Sequence, residues 1–156
     1  MNILTTLNSR YIGPLTVMLN SLLCSNPDAH FAVYVAHSSL EKEDFDFLSS
    51  RIDLSKCEIN RIRVDDAAFE NAPVTGRYPR EMYYRIFATR YLPQHLDRIL
   101  YLDPDIVVIN SIEKLYNIDF GEYLFAAASH IKEPLLKINE IRLNMPENGN
   151  YINSGV

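Results

Sequence analysis

Residues 98–109 read RILYLDPDIVVI and place two aspartates between two apolar runs. The first run predicts a buried strand over Arg98 to Leu102. In an extended chain, residues i and i+2 point to the same side, and their Cα atoms lie about 6.6 Å apart. The carboxylates of Asp103 and Asp105 can therefore converge on one ion, and Pro104 stiffens the turn between them. Carboxylate oxygens suit Mg²⁺ or Mn²⁺, so the sequence predicts a divalent cation site at the end of a strand.

Two further interpretations of this segment stay open. Aspartates are common at the capping positions of exposed turns, where they hold no ligand. Residues 103–107 also fit the Asp-x-Asp-x-Val pattern that begins the site of haloacid-dehalogenase-like phosphatases, in which Asp103 would be a nucleophile. Those phosphatases usually carry the pattern after their first strand, whereas several predicted elements precede it here.

Upstream of this segment, strand patterns alternate with helix patterns. Three short apolar runs predict strands, and two segments with a helical apolar face lie between them. The predicted strands are Asn2–Leu7, His30–His37 and Glu58–Val64; the first helix runs from Pro14 to about Cys24, and the second opens at Ser38 with a capping box to Glu41. The predicted inward side chains are Leu15, Met18, Leu19, Leu22 and Leu23, then Phe45, Leu48 and Ile52. The alternation predicts a layered α/β domain with a mostly parallel sheet.

Weaker patterns surround and follow the aspartates. A long loop over residues 65–79 precedes a predicted helix, Arg80 to Leu92, that Pro93 ends. Past the second apolar run, the predicted elements are a short helix from Ser111 through Tyr116, a strand over Leu124–Ser129, a helix over Lys132–Asn144 and a new element from Tyr151.

Polar residues follow two of the predicted strands. Asn8 and Ser9 come directly after the first strand, and the two aspartates come after Leu102. Ligands of parallel sheets bind beyond the carboxyl ends of the strands. If the strands run parallel, both polar segments lie at the same edge of the sheet.

Composition bounds the class of protein. The chain has 156 residues, 47% of them apolar, which suits one domain with a real core. Its net charge of −5 disfavours a general nucleic-acid binder, which needs a basic face. The two cysteines and four histidines show no ligand or disulfide spacing. No secretory leader or membrane-spanning run is visible, so we expect a cytoplasmic protein.

Five blocks in order resemble glycosyltransferase family 8, the retaining UDP-sugar galactosyl- and glucosyltransferases that include lipopolysaccharide galactosyltransferases and glycogenin relatives. They are residues 3–11 (ILTTLNSRY), the helix of residues 14–23, Tyr84-Arg85-Ile86, residues 98–108 with the Asp-x-Asp motif, and residues 151–156 (YINSGV). A lone Asp-x-Asp would be weak, but five ordered blocks spanning nearly the whole chain are specific.

The resemblance implies an α/β fold of the GT-A type, the nucleotide-diphospho-sugar transferase fold, with a Rossmann-like, mixed but mostly parallel sheet flanked by helices. Residues 1–156 would be the donor-binding part of a single catalytic domain whose C-terminal part is missing. The donor would be UDP-galactose or UDP-glucose, the cofactor Mn²⁺ with Mg²⁺ as the alternative, and the acceptor a glycan or lipid-linked sugar. Peripheral membrane contact would belong to the full-length protein.

Carried over by position, the resemblance also implies site residues. The metal ligands would be Asp103 and Asp105, and the Tyr11 ring would stack on uracil. The donor-binding residues would be Thr6, Asn8, Tyr11, Arg85, Asp103, Pro104, Asn153, Ser154 and Gly155. The family usually has an aspartate in the turn after the first strand, where this chain has Asn8 and Ser9, so we expect an altered base contact.

The family continues past the segment that ends at Val156, with an Asp-Gln pair near the reacting sugar and a metal-binding histidine. The catalytic residues are therefore expected beyond Val156, and we expect little or no transferase activity from this chain by itself. A second hypothesis is a truncated nucleotide-binding module without catalysis.

Overall fold

The computed structural model describes residues 1–70, 72–74 and 80–128. The chain divides into two compact units, the first spanning Met1–Ile118 and the second beginning at Asp119. The first unit contains strands β1 (Asn2–Thr6), β2 (Phe31–His37), β3 (Cys57–Arg63) and β4 (Leu100–Tyr101), and α-helices α1 (Ile12–Ser25), α2 (Lys42–Ser49) and α3 (Glu113–Tyr116). It also contains 3₁₀ segments at Ser9–Tyr11, Asp66–Phe69 and Arg80–Arg90.

The four strands form one sheet in the order β3-β2-β1-β4, and every neighbouring pair is parallel. Leu4 in β1 lies opposite Tyr34 in β2 on one side and Tyr101 in β4 on the other. The chain builds outward from β1 to β3 and then returns to add β4 on the far side of β1. The strand order therefore reverses between β1 and β4, which is where open α/β sheets bind their ligands. The predicted α/β class is confirmed.

Both faces of the sheet are buried. Leu4, Tyr34 and Ala36 pack with Phe69 and Tyr84 on one face. The alternate residues of the same strands, such as Ile3 and Val33, are also inaccessible to solvent. Burial on both faces explains why β1 and β2 read as near-continuous apolar runs rather than alternating patterns. The predicted inward face of α1 is confirmed, with all five residues buried.

Helix α2 begins later than predicted. Its cap is Glu41, not Ser38: the Glu41 side chain accepts from the backbone of Asp44, and the Asp44 side chain accepts from the Glu41 N–H at 3.0 Å. Two acidic side chains near a helix N-terminus also favour its dipole. Phe45 and Leu48 are buried as predicted, whereas Ile52 is buried after the helix has ended.

Two predicted elements around the aspartates have different geometry. The segment Arg80–Arg90 is 3₁₀ rather than α-helical and has a kink at Phe87, where φ is −107° and ψ is 21°. Strand β4 spans two residues rather than five, although Leu102 N–H extends the pairing by donating to Leu4 C=O at 3.0 Å.

The predicted strand over Leu124–Ser129 is wrong for the residues the structure describes. Residues 124–128 have no strand assignment and are exposed. Apolar composition predicted burial, but a strand also needs a hydrogen-bonded neighbour, and none of the described residues provides one. Ser129 and the elements predicted from Lys132 onward lie outside the described residues. No helix among those described is long and apolar enough to cross a membrane.

The second apolar run after the aspartates is anchored to α1. Ser21 Oγ accepts from Val108 N–H at 2.9 Å, and Ser25 Oγ donates to Val108 C=O at 2.8 Å. The Asn26 side chain accepts from Ile112 N–H at 2.9 Å. These contacts fix the direction in which the chain leaves the two aspartates, and so the place where the aspartates lie.

Candidate active site

A pocket of about 150 Å³ opens at the carboxyl ends of β1 and β4, within the first unit. It is the position where the strand order reverses. Its lining residues are Thr6, Leu7, Asn8, Tyr11, Glu81, Met82, Arg85, Asp103, Pro104 and Asp105. Seven of these are sequence-predicted site residues, so the structure brings the two polar segments and Arg85 around one cavity.

The wall that follows β1 is built by a short 3₁₀ turn. Asn8 caps this turn, since its Oδ1 accepts from Arg10 N–H at 3.2 Å and its C=O accepts from Tyr11 N–H at 3.0 Å. Leu7 N–H is held by Ala36 C=O at 3.2 Å, which ties the turn to β2. The Tyr11 ring is 38% exposed at the pocket. Because Asn8 Oδ1 is already used as a cap, its NH₂ group is the part suited to a ligand.

The opposite wall carries the charges. The Asp103 carboxylate lies 3.3 Å from Arg85 Nη1, measured to Oδ1, and the two side chains are 30% and 15% exposed. Arg85 Nε donates to Met82 C=O at 3.1 Å, which holds the guanidinium toward the aspartates. Asp105 is exposed at the rim. The partly desolvated Arg85–Asp103 pair and the solvent-exposed carboxylate of Asp105 thus line the same pocket.

Tyr101 was missed by the sequence analysis. Its hydroxyl donates to Asp103 Oδ1 at 2.6 Å and lies 3.3 Å from Thr6 Oγ1. Burial raises the pKa of the Tyr101 phenol, with Arg85 opposing that rise, so the hydroxyl stays protonated and is a donor. The signal was available, since Tyr101 and Asp103 are two residues apart in an extended segment and share one side.

Glu81 and Met82 were also missed. They precede Arg85 by about one helical turn, so helical spacing from a known site residue would have found them. The predicted Asn153, Ser154 and Gly155 lie outside the described residues.

The donor set suits a hard divalent cation. Asp103 and Asp105 both line the pocket and offer oxygen ligands. No group of three His, Cys, Asp or Glu residues that could hold a metal occurs among the described residues. A protein pair of carboxylates is the usual arrangement for Mg²⁺-like ions that take their remaining ligands from phosphates and water. The residues present therefore fit such an ion bound together with a phosphate ligand.

The comparisons with known proteins agree with this geometry. A profile described as glycosyl transferase family 8 matches residues 2–156. The chain belongs to glycosyl transferase family 8. The family predicted from the sequence is confirmed.

Curated relatives cover the chain but are longer than it. Lipopolysaccharide 1,2-glucosyltransferase of Escherichia coli is 27% identical over 155 residues, which is 99% of this chain and 46% of the relative. Glycosyltransferase GlyF of Streptococcus pneumoniae is 28% identical over 130 residues, 83% of this chain and 32% of the relative. The chain thus spans less than half the length of these family 8 relatives.

Solved structures share the fold. The galactosyltransferase LgtC, in complex with donor and acceptor sugar analogs, superposes with a TM-score of 0.87 at 22% identity, covering 99% of this chain and 56% of LgtC. The family 8 chain therefore has the GT-A fold, of which it covers about half.

Proposed function

We propose that this family 8 chain is the donor-binding part of a metal-dependent, retaining hexosyltransferase. The transferase moves galactose or glucose from a UDP-sugar to a glycan or lipid-linked sugar acceptor. The observation that carries the proposal is a pocket at the reversal of strand order that is lined by Asn8, Tyr11, Arg85, Asp103 and Asp105. The similarity to a lipopolysaccharide glucosyltransferase and to a galactosyltransferase supports the choice of hexoses.

The two walls of the pocket suit the two ends of a nucleotide diphosphate. The exposed face of Tyr11 offers a stacking surface for a base, and Asn8 NH₂ offers a donor to its carbonyl groups. Arg85 supplies a planar cation for phosphate oxygens. We propose that Thr6 and Pro104 complete the contact with the donor, together with Asn153, Ser154 and Gly155.

Asp103 and Asp105 would hold the divalent cation, Mn²⁺ or Mg²⁺. When bound, such an ion supplies Lewis-acid stabilisation to the departing diphosphate. The chain's own residues do the rest of the binding: Arg85 balances phosphate charge, and Pro104 restricts the backbone between the two carboxylates.

The test is a calorimetric titration of UDP into the chain, with MnCl₂ and with EDTA. We expect binding that depends on the metal. Asp105→Ala should weaken it by at least about tenfold, because loss of even an outer-shell partner of a metal ligand costs that much. Asp28→Ala is the matched control, since it removes an exposed carboxylate from the turn before β2.

Two results would contradict the proposal. Metal-indifferent UDP binding, unchanged in Asp105→Ala, would favour a nucleotide-binding module without metal chemistry. A covalent beryllium-fluoride adduct on Asp103 would favour a phosphatase.

A further inference from the structure

Four groups form one connected chain across the pocket wall. Thr6 Oγ1 lies 3.3 Å from the Tyr101 hydroxyl, which donates to Asp103 Oδ1 at 2.6 Å. Arg85 Nη1 lies 3.3 Å from the same Oδ1. The Arg85 guanidinium carbon also lies 4.4 Å from the centroid of the Tyr101 ring. One tyrosine thus contacts two of the charged side chains that line the pocket, Asp103 through its hydroxyl and Arg85 through its ring face.

The position of the tyrosine controls how the two charges meet. An arginine and a carboxylate free to move pair in a bidentate fork, with two parallel N–H···O contacts. Here the Tyr101 hydroxyl and Arg85 both approach Oδ1, and no hydrogen bond from a described residue reaches Asp103 Oδ2. Among the described residues, the carboxylate therefore keeps one oxygen without a hydrogen bond.

Strand geometry makes this arrangement stiff. Tyr101 belongs to β4 and pairs through its backbone with Leu4, while Leu102 N–H donates to Leu4 C=O at 3.0 Å. The backbones of Tyr101 and Leu102 are thus both fixed to β1. The hydroxyl is delivered to Asp103 from a rigid element, which is what a precisely held ligand requires.

We propose that Tyr101 is a positioning residue for the cation. Its hydroxyl holds Asp103 so that Oδ2 stays available to the metal, and its ring holds Arg85 beside the carboxylate without closing the fork. The inference rests on the proposed function, because it assigns the residue a task in the same donor site.

The test compares Tyr101→Phe with the wild-type chain, using Mn²⁺ alone and UDP with and without Mn²⁺. Phenylalanine keeps the ring under Arg85 and removes the hydroxyl. Mn²⁺ affinity, followed by the electron paramagnetic resonance signal of the free ion, should fall about tenfold, the size expected for an outer-shell partner. UDP affinity in EDTA should stay unchanged. If Tyr101 had only a structural role, its replacement by phenylalanine would lower both the Mn²⁺ affinity and the UDP affinity in EDTA, or would lower neither.

Tyr116→Phe is the matched control. The Tyr116 hydroxyl accepts from Asn2 N–H at 3.0 Å and lies 3.3 Å from Arg98 C=O, so it ties the same unit together but does not line the pocket. It should leave Mn²⁺ affinity at the wild-type value. Equal Mn²⁺ affinity in Tyr101→Phe and the wild type overturns the inference.

A double variant adds a second, independent readout. If the hydroxyl prevents a closed fork, removing the guanidinium should make it unnecessary. Arg85→Gln combined with Tyr101→Phe should therefore bind Mn²⁺ as tightly as Arg85→Gln alone. A further loss of affinity in the double variant, equal to the loss in Tyr101→Phe, overturns the inference.

The outcomes separate the inference from the proposed function. A wild-type chain that binds no UDP with Mn²⁺ contradicts the proposed function and the inference with it. A wild-type chain that binds, beside a Tyr101→Phe variant that binds equally well, contradicts the inference alone. If Tyr101→Phe fails to fold, a crystal structure of the wild-type chain with MnCl₂ and UDP decides the question. Asp103 bound to the metal through Oδ2 supports the inference, and a bidentate Arg85–Asp103 pair overturns it.

Discussion

The two aspartates of the pocket should differ in what they do for the unliganded protein. Asp103 lies against Arg85 and accepts from Tyr101, whereas Asp105 is exposed. Asp103→Ala removes the acceptor of a buried phenol and the anion beside a guanidinium. Leaving a buried donor unsatisfied costs about 1–3 kcal/mol, and the partly buried Tyr101 hydroxyl keeps Thr6 Oγ1 at 3.3 Å as a second partner, which reduces that cost. The Asp103 carboxylate is 30% exposed, so solvent screening places the expected loss in the lower half of that range.

The expected shifts are measurable by thermal unfolding in EDTA. A loss of about 1–2 kcal/mol lowers the Tm of a domain of this size by about 2–8 °C. Asp105→Ala should stay within about 0.5 kcal/mol of the wild type, as exposed substitutions usually do. Asp103→Asn keeps an oxygen that can accept from Tyr101 and should recover part of the loss.

The same variants should behave alike once ligands are added. With Mn²⁺ present throughout, UDP at about 100 times its dissociation constant stabilises a binding protein by about 2.7 kcal/mol. Both alanine variants should lose about half of this gain or more, since a tenfold weaker affinity leaves about 1.4 kcal/mol, although only Asp103→Ala loses stability without ligand. Equal Tm values for the two variants in EDTA would show that the Asp103 contacts contribute no stability and would refute the reasoning.

Two further predictions concern groups outside the pocket. Burial, and secondarily Arg63, lower the pKa of His37, whose Nδ1 accepts from Leu40 N–H at 3.1 Å. The unfolded chain then binds a proton more readily than the folded one, so the urea midpoint should fall as pH drops from 7.5 to about 5.5, and His37→Gln should flatten that dependence. Burial also raises the pKa of Cys57 to about 11, whereas Cys24 is exposed. Ellman's reagent at neutral pH should label one thiol in the native chain and two in urea; Cys24→Ser should abolish the native labelling, and fast native labelling of that variant would contradict the assignment.

The sequence predicted the strands well where both faces are buried. Strands β1 and β2 begin and end within one residue of the predicted bounds, because a strand between two packed layers is apolar along its length. The bounds of β3 also lie within one residue of the prediction, although this strand is partly exposed and carries charged residues. The segment Arg80–Arg90 was predicted as an ordinary helix, since periodicity reports which side is buried but not whether the turns are α or 3₁₀. For residues 124–128, the apolar composition predicted a strand, but composition does not indicate which neighbouring strand would form the hydrogen bonds.

The candidate site was predicted in part, for a physical reason. Asn8 and the aspartates follow strands, so the parallel topology alone places them at one edge. Arg85 was predicted as a site residue only from the family resemblance, because an arginine on a solvent-exposed helix face has the same sequence pattern. Tyr101 looked like an ordinary strand residue: the two-residue spacing places it on the same side as Asp103, but the 2.6 Å hydrogen bond between them is seen only in the structure.

The pairing of Arg85 with Asp103 explains how one small pocket can suit a doubly charged anion and a doubly charged cation. Without ligand, the guanidinium and the carboxylate balance each other at 3.3 Å in a partly desolvated wall. A cation arriving alone would meet the guanidinium beside its carboxylate ligand, and a diphosphate arriving alone would meet Asp103 and the exposed Asp105. Under the proposed function, a diphosphate and a cation arriving together would neutralise Arg85 and Asp103, respectively. By thermodynamic linkage, each ligand should then strengthen the binding of the other by the same factor.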